Sequence, residues 1–184
     1  AVFGINLIQA LPAVRQRKSE SWVMYVDLWA DFFEYDAPPS IINKIIVWLV
    51  RKAEFYTMRR ADRLIMITEA MRQLVPSDIA PKVTIIPDGA DTQHFCPVAD
   101  DLELRNKYHL GRGPVFSYQG GIARHEGLDL ICHAAPYVLA KLPDAKFLIV
   151  GRGRFLEHCR SIIRDNGSEH AFVFTGWVDY SEMP

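Results

Sequence analysis

At 184 residues, of which 49% are apolar, the chain is long enough to bury a substantial core and too hydrophobic for a disordered segment. A formal charge of −1 removes any general drive toward nucleic acid. Cys96, Cys132 and Cys159 are odd in number and widely spaced, and the histidines are scattered, so neither a disulfide framework nor a metal site is expected and a reduced, cytosolic setting fits.

The chain opens at Ala1 and stays apolar through Ala10, without the basic start and small-residue cleavage pattern of a signal peptide. Its close, Asp179-Tyr180-Ser181-Glu182, reads as a helix opening, so both ends are expected to continue in a longer protein. Between them, short β-branched and aromatic runs closed by turn residues predict strands at Trp22–Val26, Arg63–Ile67, Val83–Ile86, Pro114–Tyr118, Lys146–Val150 and Ala171–Phe174. Helical periodicity falls between them at Ser40–Arg60, Glu69–Val75, Gly127–Lys141 and Arg154–Asn166. Strand and helix in alternation predict an α/β chain with parallel sheets and right-handed crossovers.

The apolar stretch Ile41–Tyr56 is interrupted by Lys44, Arg51, Lys52 and Glu54 and cannot span a membrane. Two readings fit it. It is a long helix packing on a sheet, or it lies on a membrane surface with Arg51, Lys52, Arg59, Arg60 and Arg63 beside its apolar face. The rhythm breaks at His94–Gly113, with Pro97, then Asp100, Asp101 and Glu103, then Gly111-Arg112-Gly113-Pro114. This divides the chain into residues 1–97, the end of one domain, a linker at 98–113, and residues 114–184, the first three strands of another.

In open parallel sheets, ligands bind beyond the carboxyl ends of the strands. Every predicted strand here exits into glycine, carboxylate or hydroxyl: Asp27, Thr68-Glu69, Asp88-Gly89, Gly120-Gly121, Gly151-Arg152-Gly153 and Thr175-Gly176. Two of these exits suit phosphate. Gly120 and Gly121 leave a strand, Gly127 opens the next helix, and Arg124 and His125 lie between. Glycine admits close backbone approach, a helix start offers free N–H groups and a positive dipole end, and Arg124 adds a bidentate grip. Gly151 and Gly153 repeat the pattern one strand later, although tight strand-to-helix turns favour the same residues. Neither exit reads GxGxxG, which argues against a nicotinamide enzyme.

Ala61-Asp62-Arg63-Leu64-Ile65-Met66-Ile67-Thr68-Glu69-Ala70-Met71, the run KVTIIPDGADTQHF from Lys82 to Phe95, Gly120-Gly121-Ile122 with Gly127-Leu128-Asp129-Leu130, Pro143–Gly153, and Phe174-Thr175-Gly176-Trp177-Val178 together resemble, in order and spacing, the retaining family-4 glycosyltransferases. The resemblance covers residues 60–184 firmly and 22–60 loosely. It implies the GT-B fold, two Rossmann-like parallel-sheet domains of which this chain holds parts, with the acceptor on the first and a nucleoside diphosphate sugar on the second. It also implies that Gly120, Gly121 and Gly127 meet the donor diphosphate, that Gly151 and Gly153 line the same cleft, and that Trp177, Val178 and Tyr180 lie by the nucleoside. Asp27 stands where relatives place a histidine or aspartate beside the transferred sugar, as a catalytic residue; the competing reading makes it a cap for the segment that follows.

Two residues depart from the family pattern. Gly121 stands where arginine is common and Glu126 where lysine is common, so cations that offset the diphosphate are missing from those places. Arg124 and His125 are the candidates to replace them. The glutamate pair that grips the donor sugar in relatives is expected beyond Pro184. The function implied is transfer of a sugar from a nucleoside diphosphate sugar to a glycan or lipid-linked acceptor, in the cytoplasm or at the inner membrane surface, with no metal and no further cofactor. A binding module without turnover and a GT-B nucleotide-sugar epimerase are the alternatives.

Overall fold

The computed structural model describes residues 1–15, 19–97, 99 and 102–183, so residues 98, 100 and 101 of the expected linker lie outside it. The chain folds as two compact units, Ala1–Ala90 and Asp91–Pro184.

The first unit is a four-stranded parallel sheet in the order β1 (Val2–Ile5), β2 (Ser21–Tyr25), β3 (Arg63–Met66), β4 (Val83–Ile85). Val23 pairs with Leu64 and Tyr25 with Met66, so these four share one face. They are buried there with Ala10 and Val14 of α1 (Asn6–Arg15) and Met58 of α3 (Ile41–Arg60). Each fully buried side chain of this size contributes about 1.5–3 kcal/mol. Three elements depart from the sequence reading. β1 and α1 were not expected, since Gly4 interrupts the strand and Pro12 sits inside the helix. α2 (Trp29–Asp36) was also missed, because its aromatic and aspartate-rich sequence is a poor helix former.

The short helix α4 (Glu69–Leu74) follows β3, and the helix α3 begins where expected. Ser40 is its N-cap and its hydroxyl accepts from the Asn43 N–H at 3.1 Å. Its buried stripe is narrow, comprising Val47, Glu54, Thr57 and Met58. The opposite face of its first half carries Ile41, Ile42, Ile45, Trp48 and Leu49, each more than half exposed. The segment is therefore a helix with one buried stripe, as the first of the two readings has it, and an apolar stripe that stays exposed. No helix among the described residues is long and apolar enough to cross a membrane.

The second unit is a three-stranded parallel sheet, β5 (Val115–Gln119), β6 (Lys146–Val150) and β7 (Phe172–Gly176), in that order. Phe116, Phe147 and Phe172 stack across the three strands, with ring centroids 5.6 and 4.6 Å apart. α6 (Leu128–Leu139) and α7 (Leu156–Asp165) cover that face through Leu128, Cys132, Ala135, Cys159, Ile162 and Ile163. The other face, with Val115, Ser117, Gln119, Leu148 and Val150, borders an open cavity of about 570 Å3, which α5 (Leu102–Lys107) and Tyr108 flank.

Candidate active site

All three strand exits of the second unit are laced together by backbone hydrogen bonds. Gly120 N–H donates to Val150 O at 3.0 Å, Ile122 N–H to Arg152 O at 3.1 Å, Phe155 N–H to Ile122 O at 3.1 Å, and Gly151 N–H to Gly176 O at 2.8 Å. The lacing explains two of the glycines. A Cβ on Gly151 would stand 1.9 Å from Gly120 O, and one on Gly153 would stand 2.0 Å from Ile122 O. The chain itself demands glycine at both places.

Gly121 is different: nothing lies within 4 Å of where its Cβ would be, and its backbone is ordinary. Its carbonyl is held by the Tyr118 hydroxyl at 2.6 Å, and burial pushes the Tyr118 phenol above its usual range, with the Glu126 charge adding to the shift. A turn of 3-10 helix, Arg124–Glu126, then leads to Gly127, whose left-handed φ of 72° lets the chain enter α6. No side chain hydrogen-bonds the amino end of α6, and Asp129 is the acidic residue of its first turn. Arg124, His125 and Glu126 are all exposed around it. His125 Nε2 lies 3.5 Å from the Glu126 carboxylate, and a protonated His125 therefore offsets part of that charge.

Of the residues expected near a nucleoside, Val178 lines the large cavity with Gln119 and Val150, whereas Trp177 is exposed at the exit of β7. Sequence reasoning missed a cluster beside them. His94 and Phe95 pack on Tyr180 with ring centroids 5.2 and 5.5 Å away, and His94 Nε2 is 3.3 Å from Tyr180 O. Asp91 forms that turn by accepting from the Gln93 and His94 N–H groups.

In the first unit, Asp27 stands two residues past the end of β2 and is half-buried. Its exit is clamped from two sides. Asn6, the residue that follows β1 and opens α1 with φ 53°, accepts from Val26 N–H at 3.0 Å and Asp27 N–H at 3.5 Å. Glu54 of α3, 1% exposed, accepts from Trp29 N–H at 2.6 Å and Ala30 N–H at 3.3 Å. The amino end of α2 is thus capped by a carboxylate 25 positions along the chain, while its own N-cap position, Leu28, supplies no side-chain bond. Burial pushes the Glu54 carboxyl up, against those two backbone N–H groups. Behind it, Thr57 donates to Glu54 O at 2.8 Å and bonds the Tyr25 hydroxyl, whose pKa burial pushes up to about 12. Glu54 carries a readable signal: it lies seven residues after Val47 and four before Met58, on the buried stripe.

Among the described residues, no three or more histidine, cysteine or acidic side chains cluster as a metal site. The arrangement offers polar exits and an open helix end in one unit, and a clamped carboxylate in the other.

Residues 113–184 match the family described as glycosyl transferases group 1. The GDP-mannose-dependent alpha-(1-6)-phosphatidylinositol monomannoside mannosyltransferase of Mycolicibacterium smegmatis is 29% identical over 127 residues, 67% of this chain and 33% of that protein. The 2-deoxystreptamine N-acetyl-D-glucosaminyltransferase of Streptomyces fradiae is 30% identical over 155 residues, 80% of this chain and 36% of that protein. The chain spans about a third of the length of these curated relatives. Among solved structures, Anabaena Alr3699/HepE in complex with UDP-glucose superposes with a TM-score of 0.66 at 17% identity, covering 94% of this chain and 46% of that one. TarM superposes with a TM-score of 0.63 at 14% identity, covering 97% and 32%. The chain has the fold of the GT-B glycosyltransferases, and its residues 113–184 match the glycosyl transferases group 1 family.

Proposed function

We propose that the whole protein transfers a sugar from a nucleoside diphosphate sugar to a glycan or lipid-linked acceptor. The observation that carries this reading is the uncapped amino end of α6, reached through Gly121, where open space replaces a side chain. In this reading Gly120, Gly121, Arg124 and Gly127 receive the diphosphate, with Gly151 and Gly153 holding the loops behind them. Trp177 and Val178 take the nucleoside. Unit Asp91–Pro184 serves the donor and unit Ala1–Ala90 the acceptor, with Asp27 accepting the acceptor's proton or orienting a sugar hydroxyl.

The names of the relatives support this choice of substrates. One acts with GDP-mannose on a phosphatidylinositol glycolipid, and a solved neighbour holds UDP-glucose. The apolar outer stripe of α3, with Lys44 and Lys52 beside it, supports contact with the surface of an anionic membrane, where a lipid-linked acceptor is presented. A cytoplasmic setting at the inner membrane surface follows from that contact.

The test is transfer by the whole protein from labelled UDP- and GDP-sugars to lipid-linked and glycan acceptors, comparing the parent with Asp27→Asn. The expected result is product with the parent and a sharp loss of turnover with the variant, at unchanged donor affinity and melting temperature. Donor binding without any product would instead leave a binding module. Retention of anomeric configuration, which the family resemblance implies, is read from the same product.

A further inference from the structure

The geometry points to Glu54 as a positioning residue for the acceptor-side site, one that fixes the Asp27–Ala30 exit of β2 through the backbone N–H groups of Trp29 and Ala30. The inference rests on the proposed role of Asp27. Glu54 is not a surface residue that happens to reach a helix end. It sits on the buried stripe of α3 at 1% exposure, and both of its oxygens are engaged, at 2.6 and 3.3 Å. A carboxylate that far from water is costly unless it is bonded, so the fold keeps it for something that an apolar side chain at this position would not do.

What it does follows from where the bonds go. Asp27 is followed after a single residue by Trp29, the first residue of α2. Fixing the N–H groups of Trp29 and Ala30 therefore fixes the direction in which the chain leaves Asp27, while Asn6 holds the Val26 and Asp27 N–H groups on the other side. The Asp27 carboxylate is left between two clamps and makes no clamp itself. Thr57 holds the carbonyl of Glu54 and bonds Tyr25 at the end of β2, so the clamp is referenced to the strand that carries Asp27. Arg51, one turn earlier, is occupied with Asp31 at 2.7 Å and Glu34 at 2.8 Å. Its pull on the Glu54 carboxylate is only the weakest of the influences on that group. Beside Glu54 a cavity of about 280 Å3 opens, lined also by Leu28, Asp31, Phe55 and Leu74, so a shift of the clamp has room to propagate into the exit rather than being absorbed by packing.

Glu54→Gln in the whole protein is the experiment. It keeps shape and one acceptor but turns the other oxygen into an NH2 facing an N–H. The expected result is a fall of about tenfold or more in kcat, because small misplacements of a reacting group are that expensive, with donor affinity unchanged by calorimetry. Trp29 and Ala30 amide protons should exchange faster, and the kcat loss should vanish when Glu54→Gln is made in the Asp27→Asn background. Unchanged kcat and unchanged amide exchange, or the same fold loss in both backgrounds, would overturn the assignment. If Asp27→Asn alone keeps full turnover, the Asp27 reading fails. The clamp is then judged by exchange at Trp29 and Ala30: faster in Glu54→Gln supports it, and unchanged overturns it. Should Glu54→Gln not fold, Glu54→Asp takes its place, retaining the charge but drawing it back by one methylene, with the same readouts.

Discussion

Gly151 and Gly121 look alike in the sequence and should behave oppositely when an alanine replaces each. At Gly151 the new Cβ would stand 1.9 Å from Gly120 O, a distance that no real contact shows, and the neighbour is backbone that cannot rotate away. The residue also has φ 140°, a conformation that alanine adopts only under strain. Separating the loops by the ångström or more that the contact requires breaks the bond from Gly120 N–H to Val150 O and loosens the one from Gly151 N–H to Gly176 O. Overpacking of this kind costs about 1–3 kcal/mol and each lost bond about 0.5–1.5 kcal/mol, so Gly151→Ala should destabilise by roughly 2–5 kcal/mol. At Gly121 the Cβ enters open space at an ordinary φ, and Gly121→Ala should leave stability unchanged or raise it by about 0.4–1 kcal/mol through the unfolded chain. Chemical denaturation of the whole protein measures both, and calorimetric titration with a nucleoside diphosphate measures whether Gly121→Ala weakens binding. A Gly151→Ala protein with the parent's midpoint would refute the reasoning from backbone approach, whatever the titration shows.

Arg124→Ala should lower donor affinity by roughly tenfold to a hundredfold, the loss of one charge-assisted partner; equal affinity by calorimetry would take Arg124 out of the donor site. Tyr25→Phe removes the hydroxyl bonded to Thr57 in the core of the first unit and should cost about 0.5–1.5 kcal/mol in denaturant unfolding, with donor affinity untouched. The folded state holds the Glu54 proton to higher pH than the unfolded chain does, so this group's contribution to stability is largest below the ordinary glutamate value and declines as pH rises through the raised folded value. The stability difference between the parent and Glu54→Gln should therefore slope across that window and level off above it; a flat difference would mean that Glu54 titrates normally.

The periodic segments and the polar strand exits were legible because their causes are local. Leucine and isoleucine spacing made α6 and α7, Ser40 and Thr68 announced their helices, and glycines closed β5 and β6. What stayed hidden depends on distant partners. The cap of α2 comes from Glu54, so nothing between Asp27 and Asp36 signals a helix start. Gly121, Gly151 and Gly153 share one letter, yet the approach of the 120–122 backbone, together with the positive φ of Gly151, separates glycines the fold requires from one it does not. His94 and Phe95 read as linker, and their packing on Tyr180 depends on residues more than 80 positions later in the chain.

The lacing of the three exits in the second unit also shapes how such a site can diversify. Where a Cβ would run into the stitched backbone, at Gly151 and Gly153, no side chain can be added to tune recognition without first tearing the seam, and at Gly120 and Gly176 the positive φ strains any other residue. Variation falls instead on the hem: Gly121, with open space where a Cβ would stand, and the exposed Arg124, His125 and Trp177. A library that randomises those four positions should yield folded proteins at nearly the parental rate, whereas one that randomises the seam should yield mostly unfolded ones, and sorting each for solubility alone would reveal the difference before any substrate is added.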